Sequence, residues 1–197
     1  MSSSRNRKED LLIALFNSSR RVFTMADLAL LSDETNYQSL SNRIHKIVKT
    51  GKLQSPRKGI YTKTDYQPEE LACRLYTPSY ISLEYVLQRA GVVFQYDTTI
   101  TAVSYVSRNL TIDNYNISYR KIKNEWLATL DGIIITDDGL SIATPERAFL
   151  DLLYLNGDTY FDNLNKLDKT LISNLLTAFR SKKLTERATK ILNHNEY

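Results

Sequence analysis

Several residue types are scarce in this sequence, and each scarcity excludes a class of site. Cys73 is the only cysteine among 197 residues, which excludes an intramolecular disulfide framework and a thiolate metal cluster. With only two histidines, His45 and His194, we expect no structural zinc site. Six glycines leave little material for phosphate-binding loops, and the sequence contains no P-loop, nucleophile elbow or dinucleotide fingerprint. We therefore predict no metal, no cofactor and no catalytic residue.

Long apolar runs are also missing from the chain. No run approaches the roughly 20 apolar residues that are needed to cross a bilayer. The basic N-terminus, with Arg5, Arg7 and Lys8, is not followed by an apolar segment long enough for a signal peptide. The sequence therefore predicts a cytoplasmic protein without a membrane partner. Hydrophobic residues make up 42% of the chain and charged residues 24%, so it can bury a core.

The positive charge is concentrated in the first third of the chain. Residues 1–66 contain 12 lysines and arginines against 6 acidic residues, whereas residues 67–197 contain 14 against 16. A basic segment attached to a nearly neutral remainder is typical of a protein that meets a polyanion at one end. A basic surface that is only solvated would give the same count, so the residue pattern has to decide between the two.

The start of the chain predicts two helices. Apolar residues recur at helical spacing within residues 5–18, which favours a first amphipathic helix there. A second helix is predicted to follow Thr24, because its hydroxyl can cap a helix and Asp27 stands at the third helical position. The polar run from Ser32 onward is expected to end this helix.

A third helix and a basic hairpin complete the first third of the chain. Thr35 with Gln38 three residues later has the spacing of a capping box, and Gly51 follows the last expected turn. Residues 52–62 predict two short strands flanking a Pro/Gly turn. Three helices followed by a basic hairpin predict that residues 1–66 form a winged helix-turn-helix DNA-binding domain. The alternative is a three-helix bundle whose polar face is only solvated.

The side chains of the third helix suit the major groove of DNA. The amides of Asn36, Gln38 and Asn42 can bond adenine at two points, and Arg43 can read guanine. Serines and lysines on the same helix suit phosphate contacts, and the arginine and lysine of the hairpin can reach neighbouring phosphates. The predicted DNA-binding residues are Thr35, Asn36, Gln38, Ser39, Asn42, Arg43, Lys46, Arg57 and Lys58.

Residues 67–197 predict a mixed α/β domain, so that the whole chain is of the α+β class. Ser82 is the expected cap of one helix, and Thr144 followed by Pro145 is a strong helix start. The region between them is rich in strand-forming residues. Helices are expected at about 83–90, from 145 onward, around 165–181 and at 185–193, with strands at 98–107, 115–123, 126–136 and 140–142.

A few acidic residues are the only candidates for catalysis. Asp137 and Asp138 stand beside Gly139, where adjacent acids usually form a turn. A metal-dependent enzyme that processes nucleic acids with Asp131, Asp137 or Asp138 is therefore kept as the least favoured alternative.

Several stretches of the chain resemble the AbiEi family of antitoxins and autoregulators from type IV toxin–antitoxin, or abortive-infection, systems. They are residues 78–87 (PSYISLEYVL), 100–104 (ITAVS) and 142–152 (IATPERAFLDL), of which Thr-Pro-Glu-Arg-Ala behind a strand is the most specific piece. Residues 57–61 (RKGIY) resemble the wing of that family. The resemblance covers most of the chain to about Tyr154.

The resemblance implies a specific function for each end of the chain. It implies an N-terminal winged helix that represses the toxin–antitoxin operon by binding inverted repeats, with two copies on the DNA. It also implies that residues 67–197 are an antitoxin domain that counteracts a nucleotidyltransferase-like toxin encoded beside it. A transcriptional regulator whose second domain senses a small ligand remains the main alternative.

Overall fold

The structure, a computed structural model, describes residues 11–194 of the chain. It is of the α+β class, as predicted, and its strands form a three-stranded sheet and a six-stranded sheet. We refer to residues 11–66 as the N-terminal segment and to residues 67–194 as the C-terminal segment. Within the described residues, no helix combines the length and the apolar character that a bilayer crossing requires.

The N-terminal segment combines helices with a small antiparallel sheet. Residues 11–17 are helical (α1), and the earlier part of the helix predicted at 5–18 lies outside the described residues. Strand β3 is the central strand of the sheet, with β1 on one side and β2 on the other. The further elements are β1 (Val22–Thr24), α2 (Met25–Ser32), α3 (Tyr37–Lys49), β2 (Gln54–Arg57) and β3 (Ile60–Thr62).

Local side-chain chemistry sets where α2 and α3 begin. The predicted cap of α2 at Thr24 is confirmed, and the structure adds a full capping box, because Thr24 and Asp27 each bond the backbone N–H of the other. The predicted start of α3 was wrong by one residue. Asn36 is the cap, and its side chain accepts a hydrogen bond from the backbone N–H of Ser39 at 3.0 Å. Asparagine is a stronger cap than Thr35 because its carbonyl oxygen reaches the third helical position readily.

The hairpin differs from the prediction in the position of its turn. Lys58 and Gly59 form the turn, and Gly59 has a φ of +82°, which a glycine adopts without strain. Pro56 lies within β2 and is not part of the turn. A proline is tolerated there because β2 is an edge strand of the sheet. Arg57 is consequently the last residue of β2.

One apolar cluster holds the helices of the N-terminal segment together. Leu40 and Ile44 are fully buried and place one face of α3 against this cluster, so the opposite face of the helix points outward. The buried members of the cluster are Leu11, Leu15, Phe23, Leu28, Leu40, Ile44 and Leu53.

The C-terminal segment is built on a mixed sheet in the order β6-β7-β5-β4-β9-β8. The pairs β4–β9 and β5–β7 are parallel, and the remaining pairs are antiparallel. Its strands are β4 (Ser79–Ile81), β5 (Ile100–Ser104), β6 (Arg108–Ile112), β7 (Tyr115–Lys121), β8 (Ile133–Ile135) and β9 (Ser141–Ala143). Its helices are α4 (Pro68–Leu75), α5 (Glu84–Arg89), α6 (Asn124–Leu127), α7 (Pro145–Asn156), α8 (Lys169–Phe179) and α9 (Lys182–His194), with a 3-10 turn at Leu164–Lys166.

Two sequence predictions in this segment were wrong. Ser82 does not cap α5, because its hydroxyl donates a hydrogen bond to the Asp151 carboxylate at 2.8 Å. Trp126 lies in the short helix α6 instead of a strand, with its ring stacked on Phe179 at a centroid distance of 4.4 Å. In addition, β6 follows β5 as a separate strand that the sequence did not predict. Contacts with distant parts of the chain override the local preference at Ser82 and Trp126.

The Thr-Pro-Glu-Arg-Ala segment starts α7 and carries a buried ion pair. Thr144 caps the helix and Pro145 takes its first turn, as predicted. Arg147 is fully buried and donates to the Asp151 carboxylate at 3.0 Å and to the Tyr80 hydroxyl at 2.8 Å. Its guanidinium also donates to the main-chain carbonyls of Trp126, Thr129 and Asp131. The motif thus fastens the chain around α6 to the sheet and to α7.

A small buried contact joins the two segments. Glu70, which is 1% exposed, accepts hydrogen bonds from the backbone N–H groups of Arg21 at 2.7 Å and Val22 at 2.9 Å. Beside it, Val22 and Ile60 of the N-terminal segment form an apolar cluster with Leu71 and Ile112 of the C-terminal segment. The expected domain boundary between residues 66 and 67 stays a prediction.

Candidate nucleic-acid interface

The outward face of α3 is polar and basic. Gln38, Asn42 and Lys46 stand one helical turn apart, and all three are exposed. They lie on the opposite side of the helix from the buried Leu40 and Ile44. The exposed side chains within this helix that can bond or attract DNA are Tyr37, Gln38, Ser39, Asn42, His45, Lys46 and Lys49.

Two of these amides contact each other directly. The Gln38 side-chain nitrogen donates to the Asn42 side-chain oxygen at 3.4 Å, one turn along the helix. A weak, exposed contact of this kind orders the two side chains on one face without burying their other donors and acceptors. The pair can therefore present both a donor and an acceptor to a base edge.

The first turn of α3 has a different role. Thr35 and Asn36 are exposed, but the Asn36 side-chain oxygen is already used as the helix cap. The Glu34 carboxylate accepts from the backbone N–H of Asn36 at 3.2 Å and from the Ser39 hydroxyl at 3.5 Å. These bonds hold the start of the helix in place. The side chains of Asn36 and Ser39 are therefore less available to a base than those of Gln38 and Asn42.

Arg43 points away from the centre of the outward face. Its side chain is 12% exposed, and its guanidinium lies 4.0 Å from the Glu34 carboxylate. An ion pair that is largely covered holds the guanidinium near the start of α3. The predicted guanine contact of Arg43 stays a prediction, and it would require this side chain to leave Glu34.

The hairpin places its two basic residues in different surroundings. Lys58 is exposed in the turn, whereas the Arg57 guanidinium donates to the Tyr76 hydroxyl at 3.4 Å and lies 5.7 Å from the centre of that ring. The hydrogen bond from Arg57, with the added charge of Arg108, lowers the pKa of Tyr76 from its usual value. No local pattern of residues indicates this contact, because Tyr76 belongs to the C-terminal segment.

The acidic residues considered for metal-dependent catalysis do not come together. Asp137 and Asp138 lie in the turn between β8 and β9, and the Asp138 carboxylate is 3.6 Å from the Arg21 guanidinium. The Thr136 hydroxyl bonds the same carboxylate and lowers the pKa of Asp138. Across residues 11–194, no three histidine, cysteine or acidic side chains are grouped so as to hold a metal ion.

Comparisons with known proteins identify no family for this chain. No protein-family model matches the chain. A search of curated proteins gives no match either. Among solved structures, the crystal structure of the RV2827C protein from Mycobacterium tuberculosis has a TM-score of 0.49 and 15% sequence identity, covering 95% of this chain and 76% of that chain. A similarity of this size says nothing about function.

Proposed function

We propose that residues 1–66 form a winged helix-turn-helix domain that binds double-stranded DNA. The observation that carries this proposal is the outward face of α3, where Gln38, Asn42 and Lys46 are exposed together while Leu40 and Ile44 anchor the helix. A helix that is held by its apolar face and presents amides and lysines on the other fits the major groove.

Each part of this surface has its own role in the proposal. Gln38 and Asn42 read base edges, since their amides can bond adenine at two points. Lys46 and Lys49 contact phosphates and set the register of α3 in the groove. The β2–β3 hairpin is the wing, and Lys58 in its turn contacts the flanking phosphates. Arg57 supports the wing through Tyr76 and adds positive charge beside it.

A gel-shift titration against the promoter region of the protein's own operon tests DNA binding, with random DNA as competitor at near-physiological salt. We expect a competitor-resistant shift. Gln38→Ala and Asn42→Ala should each cost about 1–3 kcal/mol of discrimination between specific and random DNA if the amide bonds a base at two points. The matched control is Asn165→Ala, which removes an exposed amide from the 3-10 turn of the C-terminal segment.

The outcome separates base reading from general attraction to DNA. Unchanged discrimination in both α3 variants would contradict the proposed role of the outward face. The absence of any competitor-resistant shift by the parent protein would refute the DNA-binding proposal itself. An equal loss in the Asn165→Ala control would trace the effect to something other than α3.

We further propose that the protein is a repressor–antitoxin of the AbiEi type. It would repress its own operon at inverted repeats, as two copies that form a dimer on the DNA, and neutralise a nucleotidyltransferase-like toxin through residues 67–197. The support is the resemblance of residues 78–87, 100–104 and 142–152, which supply β4, β5, β9 and most of α7. These elements are adjacent in the fold, so the resemblance concerns one connected body and not scattered loops.

Expression beside the neighbouring toxin gene tests the antitoxin proposal. We expect the full chain carrying both Gln38→Ala and Asn42→Ala to restore growth as the parent does, while losing repression of the operon. The full chain is used because α4 packs Glu70 and Leu71 against β1, so removal of the first 66 residues would expose them. Toxicity that the parent protein does not relieve would refute the antitoxin role, and toxicity relieved only by the parent would refute the division of labour.

A further inference from the structure

A cavity of about 510 Å³ lies in the C-terminal segment, at the start of α4. Its walls come from α4, α5, the loop that precedes β5 and the first residue of β7, and none of its lining residues belongs to α3 or to the hairpin. The volume falls within the roughly 300–1,000 Å³ that is usual for small-molecule sites. The cavity is therefore large enough for a small ligand and separate from the proposed DNA surface.

Tyrosine rings form much of the wall. Tyr85, Tyr96 and Tyr115 line the cavity, and Tyr96 is 82% exposed and Tyr115 41% exposed. Tyr66 packs edge-on against Tyr115 at a centroid distance of 6.4 Å, and the Tyr66 hydroxyl donates to Asp113 at 2.9 Å. Tyr115 is thus braced from one side, and the rings of Tyr96 and Tyr115 are accessible for stacking with a planar ligand.

The half-buried carboxylate of Glu69 provides the main polar group of the cavity. The Glu69 side chain is 13% exposed, accepts a hydrogen bond from the Tyr85 hydroxyl, and accepts another from the Arg89 guanidinium at 3.0 Å. Arg89 also lies 4.3 Å from the centre of the Tyr85 ring. A carboxylate has about four acceptor positions, so Glu69 can take a further donor from a ligand.

The charges of the cavity favour an uncharged ligand over a phosphorylated one. Glu69 and Asp97 supply two carboxylates among the lining residues, against the single guanidinium of Arg89. Because Arg89 is already paired with Glu69, little positive charge is left for a phosphate. The amides of Gln67 and Gln88 and the hydroxyl of Thr98 line the cavity and add neutral hydrogen-bonding groups.

We propose that this cavity binds a neutral, planar heteroaromatic ligand that donates hydrogen bonds, of the nucleoside class. The ring stacks on Tyr115 and Tyr96, an amino group of the ring donates to Glu69, and sugar hydroxyls bond the polar groups around Asp97. This site does not depend on DNA binding or on antitoxin activity, and each can fail without the other.

Titration calorimetry of the full chain with adenosine, guanosine, cytidine and uridine tests the proposal. We expect saturable binding of at least one nucleoside and weaker binding of the matching 5′-monophosphate. Tyr115→Ala should weaken the binding by roughly tenfold, the size expected when a base loses one aromatic stacking partner. Glu69→Gln should weaken it as well, by exchanging a charged acceptor for a neutral one.

Three control measurements keep the result interpretable. Tyr115→Phe retains the ring and should bind like the parent, which separates stacking from misfolding. Tyr160→Ala removes a tyrosine that is 81% exposed and lies outside the cavity, and it should have no effect. Choline chloride tests whether the tyrosines and carboxylates select a cation instead.

Several outcomes would overturn the assignment. The first is that none of the four nucleosides shows saturable binding, and the second is that Tyr115→Ala binds a nucleoside as tightly as the parent does. The others are that the monophosphate binds more tightly than the nucleoside, or that choline binds and no nucleoside does. A gel shift that still responds to Gln38→Ala in those cases would leave the DNA-binding proposal standing.

Discussion

Arg147 of the Thr-Pro-Glu-Arg-Ala segment pairs with Asp151 one turn along α7, and neither side chain is exposed to solvent. A surface that receives a toxin needs accessible groups, whereas the bonds of Arg147 to Asp151 and Trp126 are buried inside the C-terminal segment. We therefore infer that the segment responsible for the resemblance acts by shaping the C-terminal segment. Burial raises the pKa of Asp151, while the nearby guanidinium of Arg147 acts in the opposite direction.

Removal of the guanidinium should be costly. Arg147→Met leaves the Asp151 carboxylate buried without its cation and leaves the carbonyls around α6 without a donor. We expect the free energy of unfolding to fall by about 3–5 kcal/mol, the usual cost of breaking one side of a buried pair. Urea unfolding measured by fluorescence reports this directly, because Trp126, the only tryptophan of the chain, stacks within the same region.

The control makes the same substitution at Arg120, whose side-chain hydrogen bond is exposed. Arg120 donates to the exposed side chain of Asn156 at 2.7 Å, and Arg120→Met should change the free energy of unfolding by about 0.5 kcal/mol or less. A loss in Arg147→Met no greater than in this control would show that the buried pair does not hold α6 in place.

At the scale of the elements, predictions based on neighbouring residues did best. Thr24 with Asp27 and Thr144 with Pro145 define the starts of α2 and α7 through bonds within one helical turn, and both starts were predicted. Ser82 has the same chemistry, yet its hydroxyl bonds Asp151 and leaves α5 without a side-chain cap. A sequence alone does not reveal such a competitor, because it comes from another helix.

On the candidate DNA surface as well, the sequence predicted the features that depend on helical spacing and not those that depend on distant contacts. Helical spacing was enough to predict that Gln38, Asn42 and Lys46 share an exposed face, and they do. The surroundings of Arg43 and Arg57 depend on partners that spacing does not supply. Arg43 pairs with Glu34 in the loop before α3, and Arg57 donates a hydrogen bond to Tyr76 of the C-terminal segment. Contact of any of these residues with DNA stays a prediction.

The cavity was not predicted at all, since its walls come from four separate stretches of chain. Many tyrosines are present in the sequence, but tyrosine is common in ordinary half-buried sheets as well as in binding sites. Only the packing of α4, α5 and β7 places Tyr85 and Tyr115 around one space.

At the scale of the whole molecule, Glu70 connects the two segments. Its carboxylate is the acceptor for two backbone N–H groups of the N-terminal segment, at Arg21 and Val22. Burial raises the pKa of Glu70, although these two N–H groups act in the opposite direction. The segments are therefore joined through a carboxylate whose ionisation is disfavoured by its surroundings.

The raised pKa predicts how stability depends on pH. Because the folded protein holds the Glu70 proton more tightly than the unfolded chain, this contribution to stability is complete below the usual pKa of a glutamate. It is lost as the pH rises through the raised value. Glu70→Gln has no ionisation at this position. Its free energy of unfolding, relative to that of the parent, should therefore increase as the pH rises from the usual pKa of a glutamate to the raised pKa of Glu70. Urea unfolding of both proteins from acidic to neutral pH measures the difference.

A second variant distinguishes ionisation from the loss of the acceptor. Glu70→Ala leaves the buried N–H of Val22 and the partly buried N–H of Arg21 without a partner, and the buried donor alone should cost about 1–3 kcal/mol at every pH. Parallel pH profiles of the parent and Glu70→Gln would mean that Glu70 does not control the pH dependence.

The order of strands in the two sheets also determines when each can form during synthesis on the ribosome. The three-stranded sheet is complete once β3 has emerged, because β1, β2 and β3 all lie within residues 22–62. The six-stranded sheet cannot close until β9 emerges, because β4 pairs with β9 across about 60 residues of intervening chain. The proposed DNA-binding part can therefore fold co-translationally while β4 still has an open edge, and the part that the toxin would meet is completed last.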